Sequence, residues 1–252
     1  MKRYLLAIAA LACLLAAVPA WAATMDMQLT PAKIDIGAFY NGETLKVTGT
    51  IPERGDLVLR LVGVPEDLHM KQKGKALGLL WMNMGSLEFH NVPNVFRVLS
   101  EKPLDQLGDA GADLGLEGLV RLIEVSSQGA DGEAMVHELI KLKRSEKLYA
   151  ENTAEFTRTP AQDGVASFAA ELHTPSRLSP GEYAVEAYVI DNGTVSAQSV
   201  QSVDVELTGL PKFISNLAFG HGALFGVLAV VAALLAGLAI GLIFQGGSKG
   251  AH

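Results

Sequence analysis

Two methionines and a histidine, Met82, Met84 and His90, stand close together in GLLWMNMGSLEFHNVP, the stretch from Gly78 to Pro93. His69 and Met70 precede them, and Met25 and Met27 lie near the expected start of the exported chain. Thioether and imidazole suit Cu(I), so a metal-binding protein that uses Met and His is one reading of the segment. The competing reading is packing. Met82 and Met84 are two apart, so on a strand they share a face with Leu80, and methionine is an ordinary filler of such a face. Trp81 and Asn83 then occupy the opposite face, where a tryptophan anchors a sandwich and Asn83 closes a loop to a neighbouring insertion or serves an interface. Packing is the expectation, with no metal and no cofactor.

Other constellations are weaker. HELIK, from His137 to Lys141, begins like the zinc-protease helix H-E-x-x-H, but Lys141 stands where the second imidazole is required. Lys141, Lys143, Arg144 and Lys147 form a basic run, read as a solvated helix face, with contact to anions or lipid headgroups as the sharper alternative. Asp109, Asp113 and Glu117 lack the spacing of a calcium loop, and the glycines of DAGADLGLE predict a flexible connection. His173 falls near a strand end and His221 at a membrane edge. Neither a G-x-S-x-G elbow, a phosphate-binding loop nor a dinucleotide fingerprint follows residue 22. The expectation is a protein that is not an enzyme.

The elements that must carry these residues begin with the two ends. Met1-Lys2-Arg3, an apolar run from Tyr4 to Val18 and PAWAA have the form of a secretory signal peptide, residues 1–22. The run is too short to span a bilayer, which needs roughly 20 residues. The single cysteine, Cys13, lies inside it, so the exported chain has no thiol and no disulfide. Removing Lys2 and Arg3 takes the net charge from −7 to −9, which argues against a nucleic-acid partner.

At the other end, Gly222 to Phe244 holds 23 residues without a charge, long enough to cross a membrane. The predicted order is a periplasmic domain at 23–208, a linker at 209–216, a transmembrane helix at 217–244 and a cytoplasmic tail at 245–252. The localisation expected is a single-pass protein of a bacterial inner membrane. Lys249 and Lys212 balance one another across the span, so the orientation rests on the signal peptide. Gly222, Gly226, Ala229, Ala233, Gly237 and Gly241 line one helical face, which lets another helix come close, from a membrane transporter or a second copy of the chain.

Between the ends, period-two alternation dominates. Ile34 and Ile36, then Leu45, Val47 and Gly49, flank Asn41-Gly42 as a hairpin would. DLVLRLV predicts a strand buried on at least one face. In the second half SFAAELH, GEYAVEAYVI and TVSAQSVQSVDVEL read as three strands, the last two joined at Asn192-Gly193, with Val195, Ala197, Val203, Val205 and Leu207 on one face. Helical spacing intervenes at Leu116, Leu119, Val120 and Ile123, and again at Met135, Val136, Leu139, Ile140 and Tyr149, with Asp131 as cap. The fold class is mainly β: an immunoglobulin-like antiparallel β-sandwich with an α-helical insertion at about 103–152, plus one C-terminal transmembrane helix.

Three segments together resemble the putative transmembrane proteins first grouped from alphaproteobacteria. They are Gly78 with LLWMN, carrying Trp81 and Asn83; FHNVPNVFRVLSEKPL, with Phe89, Val92, Pro93, Phe96, Leu99, Ser100 and Pro103; and LSPGEYAVEAYVIDNG. A terminal apolar span closes the pattern. Gly78 and Trp81 stand one residue further apart than the family spacing. Genes of such proteins often neighbour exporters similar to sulfite and organosulfonate permeases, so the resemblance implies an accessory protein of an anion exporter and no catalytic residue. Copper binding through Met82, Met84 and His90 is the first alternative, and an envelope-assembly or adhesion module the second.

Overall fold

The computed structural model describes residues 25–76, 79–127, 132–160 and 164–245. The signal peptide with Cys13, Gly78, Asp131 and the tail with Lys249 lie outside the described residues, as do the side chains of Trp81 and Met84.

Six strands lead into the first half: β1 (Asp26–Thr30), β2 (Lys33–Ile36), β3 (Thr44–Pro52), β4 (Asp56–Val62), β5 (Pro65–Ala76) and β6 (Leu80–Pro93). After β7 (Phe96–Ser100) comes a 3₁₀ turn, Leu104–Leu107, then α1 (Gly108–Leu114), α2 (Leu116–Leu122), β8 (Glu124–Ser127) and α3 (Gly132–Ser145). The chain returns to strands with β9 (Tyr149–Thr153), β10 (Thr157–Thr159), β11 (Val165–His173), β12 (Gly181–Asp191) and β13 (Thr194–Leu207). Two helices close it, α4 (Gly209–Gly220) and α5 (Gly222–Gln245).

A four-stranded sheet, β1-β3-β11-β10, faces a six-stranded sheet, β2-β13-β12-β4-β7-β9. Alternate residues of both fill the space between them: Leu45, Val47, Ile51, Phe168 and Leu172 from one, Leu57, Leu59, Leu61, Val185, Val189 and Val203 from the other. The far side of the six-stranded sheet, with Val58, Phe96, Val98 and Ile190, is covered by a second core from the helices and the root of β5 and β6. β4 is thus buried on both faces, which accounts for apolar residues on both sides of DLVLRLV, interrupted after Asp56 only by Arg60. The result is mainly β, with antiparallel sheets and one apolar C-terminal helix.

The three strands expected in the second half form as read, and β12 meets β13 through Asn192 and Gly193, both at positive φ (50° and 78°), as a two-residue hairpin turn requires. One face assignment fails. Val189 pairs with Ala197 but Ile190 with Val195, so Ser196 is an extra residue; alternation reverses there and leaves Val195 exposed while Ala197 is buried.

The Asn41-Gly42 hairpin is corrected more thoroughly. β2 pairs in parallel with β13 in one sheet, whereas β3 lies between β1 and β11 in the other. Residues 37–43 therefore cross between sheets. The crossing is fastened by Thr174, whose Oγ1 accepts the Glu43 N–H at 2.8 Å while its own N–H donates to the Glu43 carbonyl. Gly42, at φ 92°, lies so close to the Thr174 carbonyl that a Cβ would stand 2.7 Å from it.

The insertion also differs from expectation. DAGADLGLE is not a loop: α1 and α2 occupy it, and Gly111 is needed because a Cβ there would sit 2.3 Å from the Leu104 carbonyl oxygen. Val136, Leu139 and Ile140 are the buried face of α3. Tyr149 leaves that helical pattern and opens β9, which pairs in parallel with β7.

Candidate functional site

The segment that carried the chemistry, β6, has two unlike halves. Near Pro93 it is flanked by β5 on one side and by β8 on the other, the latter only from Leu87 to His90. From Ser86 outward to Leu80 its only partner among the described residues is β5, so the two strands leave the body as a ribbon roughly 23 Å long at 3.3 Å per residue. Leu79, Leu80 and Met82 on this arm are 86%, 69% and 52% exposed.

Met82 is therefore not the core filler that alternation predicted; the strand has run past the sheet and helices that would cover it. Pairing of Gln72 with Gly85 and of Lys73 with Asn83 makes Met84 the extra residue of a bulge, so Met82 and Met84 do not keep a simple two-residue alternation. His90 is eight residues from Met82 on the same strand, roughly 26 Å away, so the thioether and that imidazole cannot bind one ion. His90 Nδ1 instead lies 3.2 Å from Asp67 Oδ1, and His69 Nδ1 3.3 Å from Glu88 Oε1. Asn83, exposed and opposite Lys73 on the arm, closes no loop to the insertion.

The inner half of β6 and the strand β7 after it hold the remaining family-motif residues. Phe89, Val92, Pro93, Phe96 and Ser100 are all buried. The Tyr149 hydroxyl donates to the Pro93 carbonyl at 2.7 Å, and its ring meets Phe96 edge to face at 6.0 Å. Burial pushes this phenol far above its usual range. Ser100 Oγ donates to the Lys102 carbonyl at 2.7 Å, turning the chain into the insertion. The segment forms the joint between sandwich and helices.

Sequence reasoning passed over the polar groups that organise this joint. Asn94 is the buried amide: its Nδ2 donates to the Tyr183 hydroxyl at 3.0 Å, and that hydroxyl donates to the Ser179 carbonyl. Its Oδ1 is buried without a hydrogen-bond partner and faces Gly63, occupying the space a side chain there would fill. Burial raises the Tyr183 phenol as well. On the same sheet Arg60 donates from Nε and Nη2 to Glu186 Oε2 at 2.8 and 2.5 Å, with both side chains mostly buried, and its guanidinium lies over the Tyr188 and Phe96 rings. Period-two alternation hid these charges, because β4 and β12 read as apolar strands with a stray Arg and Glu.

The basic run on α3 separates into parts. Lys143 is buried and donates to Glu66 Oε1 at 3.1 Å, beneath the Tyr149 ring, so it ties the helix to the hairpin root and is not a solvated charge. Lys141 pairs with Glu138 and stays exposed with Arg144 and Lys147. Asp113 pairs with Arg121, and His173 Nδ1 lies 2.7 Å from Thr44 Oγ1.

The span α5 is exposed along its length from Gly222 to Phe244. None of it is buried within the chain, and the spaces beside Gly222, Gly226, Gly237 and Gly241 are open, with Ala229 and Ala233 exposed between them. Before it, the expected linker is the helix α4, on which Leu210, Phe213 and Ile214 are also exposed. A protein family described as "Putative transmembrane protein (Alph_Pro_TM)" matches residues 24–246. No curated protein matches the chain.

Proposed function

The chain belongs to the putative transmembrane protein family, and from that premise we propose that it is a membrane-anchored, non-enzymatic accessory module of a larger membrane protein. The observation that carries the reading is the β5–β6 arm. A two-stranded ribbon is marginal alone in water, and this one holds apolar side chains, Leu79, Leu80 and Met82, away from every core of the chain. Such a tip is stabilised when a partner covers it. The unpartnered small-residue face of α5 supplies a second contact within the bilayer. The partner class is an anion exporter of the sulfite and organosulfonate type, as the family resemblance implies, with the sandwich on the periplasmic side.

A photo-crosslinking residue at Met82, in membranes of the native cell, tests this. The expected product joins the chain to a multi-span protein and is lost in a Leu79→Ser/Leu80→Ser variant, which also slows sulfite efflux. Crosslinks to soluble envelope proteins alone, or efflux unaffected by deleting the chain, would overturn it.

A further inference from the structure

We propose that α4 is a membrane-interface helix, lying along the bilayer surface on the side of the sandwich with Leu210, Phe213, Ile214 and Leu217 inserted at the headgroup and acyl-chain boundary. These four residues recur at i, i+3, i+4 and i+7, one stripe of the helix, and Leu210, Phe213 and Ile214 are exposed, with Leu217 only partly covered. Lys212, Ser215 and Asn216 lie on the other side.

Two features choose the bilayer as the occupant. The first is continuity. α5 follows α4 after the single residue His221, whose N–H bonds the Leu217 carbonyl and whose carbonyl accepts the Phe225 N–H, both at 3.0 Å. The residues from Gly222 to Phe244 rise roughly 35 Å, already enough for a hydrocarbon core of about 30 Å. α4 therefore has no room inside the hydrocarbon, and the one non-helical residue His221 (φ −138°, ψ 53°) holds its C-terminal end at the surface and lets its axis turn there. Phe219, 91% exposed, lies on the Lys212 side of the helix, outside the stripe, three residues before the span.

The second is orientation. Lys212 Nζ lies 3.5 Å from Glu206 Oε2, which Lys33 also holds at 3.1 Å. This ties the polar side of α4 to the end of β13 and β2. The apolar stripe, on the far side of the helix from Lys212, is turned away from the sandwich and towards the surface that the span enters. Amphipathic helices of this kind bury their apolar face roughly 5–10 Å into the boundary region.

The test is a cysteine scan of the full chain in a Cys13→Ser background, reconstituted in phosphatidylethanolamine and phosphatidylglycerol vesicles. Nitroxides at Leu210, Phe213 and Leu217 are compared with nitroxides at Ser215 and Asn216 for collision with oxygen and with a water-soluble nickel chelate. Stripe positions favouring oxygen, with a helical period and the same values at two protein-to-lipid ratios, are expected. Equal nickel accessibility on both sides, or protection that appears only at the higher protein density and so marks a second copy, would overturn the assignment. Neither outcome depends on an exporter being found.

Discussion

Replacing Arg60 by Leu removes the only cation among the described residues that meets Glu186 across β4 and β12. The side chains are 14% and 18% exposed, and Glu186 would keep one neutral donor, the Tyr188 hydroxyl at 3.2 Å. Breaking a buried pair from one side costs about 3–5 kcal/mol, because the remaining charge stays desolvated. Partial solvent access here puts Arg60→Leu at the lower end, about 3 kcal/mol. Glu186→Gln keeps an acceptor for the guanidinium and costs about 1–1.5 kcal/mol. Replacing both by Leu restores a neutral interior and should cost at most about 1 kcal/mol, less than Arg60→Leu alone. Thermal unfolding of the full chain in nanodiscs, followed by the circular dichroism of the strands, reads these differences. A change of 1 kcal/mol moves the midpoint of a domain this size by about 2–4 °C, so Arg60→Leu lowers it by roughly 6–12 °C. A double variant no more stable than Arg60→Leu alone would refute the coupling.

Tyr149→Phe removes the buried bond to Pro93 and should cost about 1–2 kcal/mol in the same assay. The folded phenol is raised above its model-compound value of 10.0, so its contribution is complete below pH 10 and is lost as the pH rises further; Tyr149→Phe flattens that alkaline decline. Gly63→Ala places a Cβ 1.8 Å from Asn94 Oδ1 and 2.9 Å from the Tyr183 ring, and should destabilise by at least about 2–3 kcal/mol in chemical denaturation. Lys33 and then Lys212 hold the Glu206 carboxyl below its usual 4.5, so the tie between α4 and the sandwich persists above that pH and is lost as pH falls through the folded value. Spin-label distances between β2 and α4 should broaden on that acidification, and Glu206→Gln should broaden them at neutral pH.

Local pattern was sufficient where strand order followed chain order. β12 and β13 are sequential neighbours, and their faces and their Asn192-Gly193 turn were legible apart from the bulge at Ser196. The span was legible from composition alone. Asn41-Gly42 misled because a turn signal reports only the chain's capacity to bend; Thr174, far along the sequence, decides where the bend leads. Met82 misled for a related reason. Alternation says that residues share a face, whereas burial depends on whether another layer reaches that face, and none reaches the arm. Residues 209–216, expected as a linker, are instead helical in α4, where Pro211 falls within the first turn and its missing N–H costs nothing. Trp81 and Asn83 were the conspicuous residues of the segment, while Asn94 and Tyr149, less conspicuous in sequence, supply its buried hydrogen bonds.

The parallel pairing of β7 with β9 has a consequence for the order of assembly. A tight turn cannot join parallel neighbours, so residues 101–148 must act as a crossover before Phe96 can meet Tyr149. The closure entropy of that long segment is a cost that the β7–β9 pairing carries and a tight hairpin would not. During synthesis the edge position beside β7 therefore stays vacant until residues 101–148 have emerged, and β12 and β13 of the same sheet emerge later still.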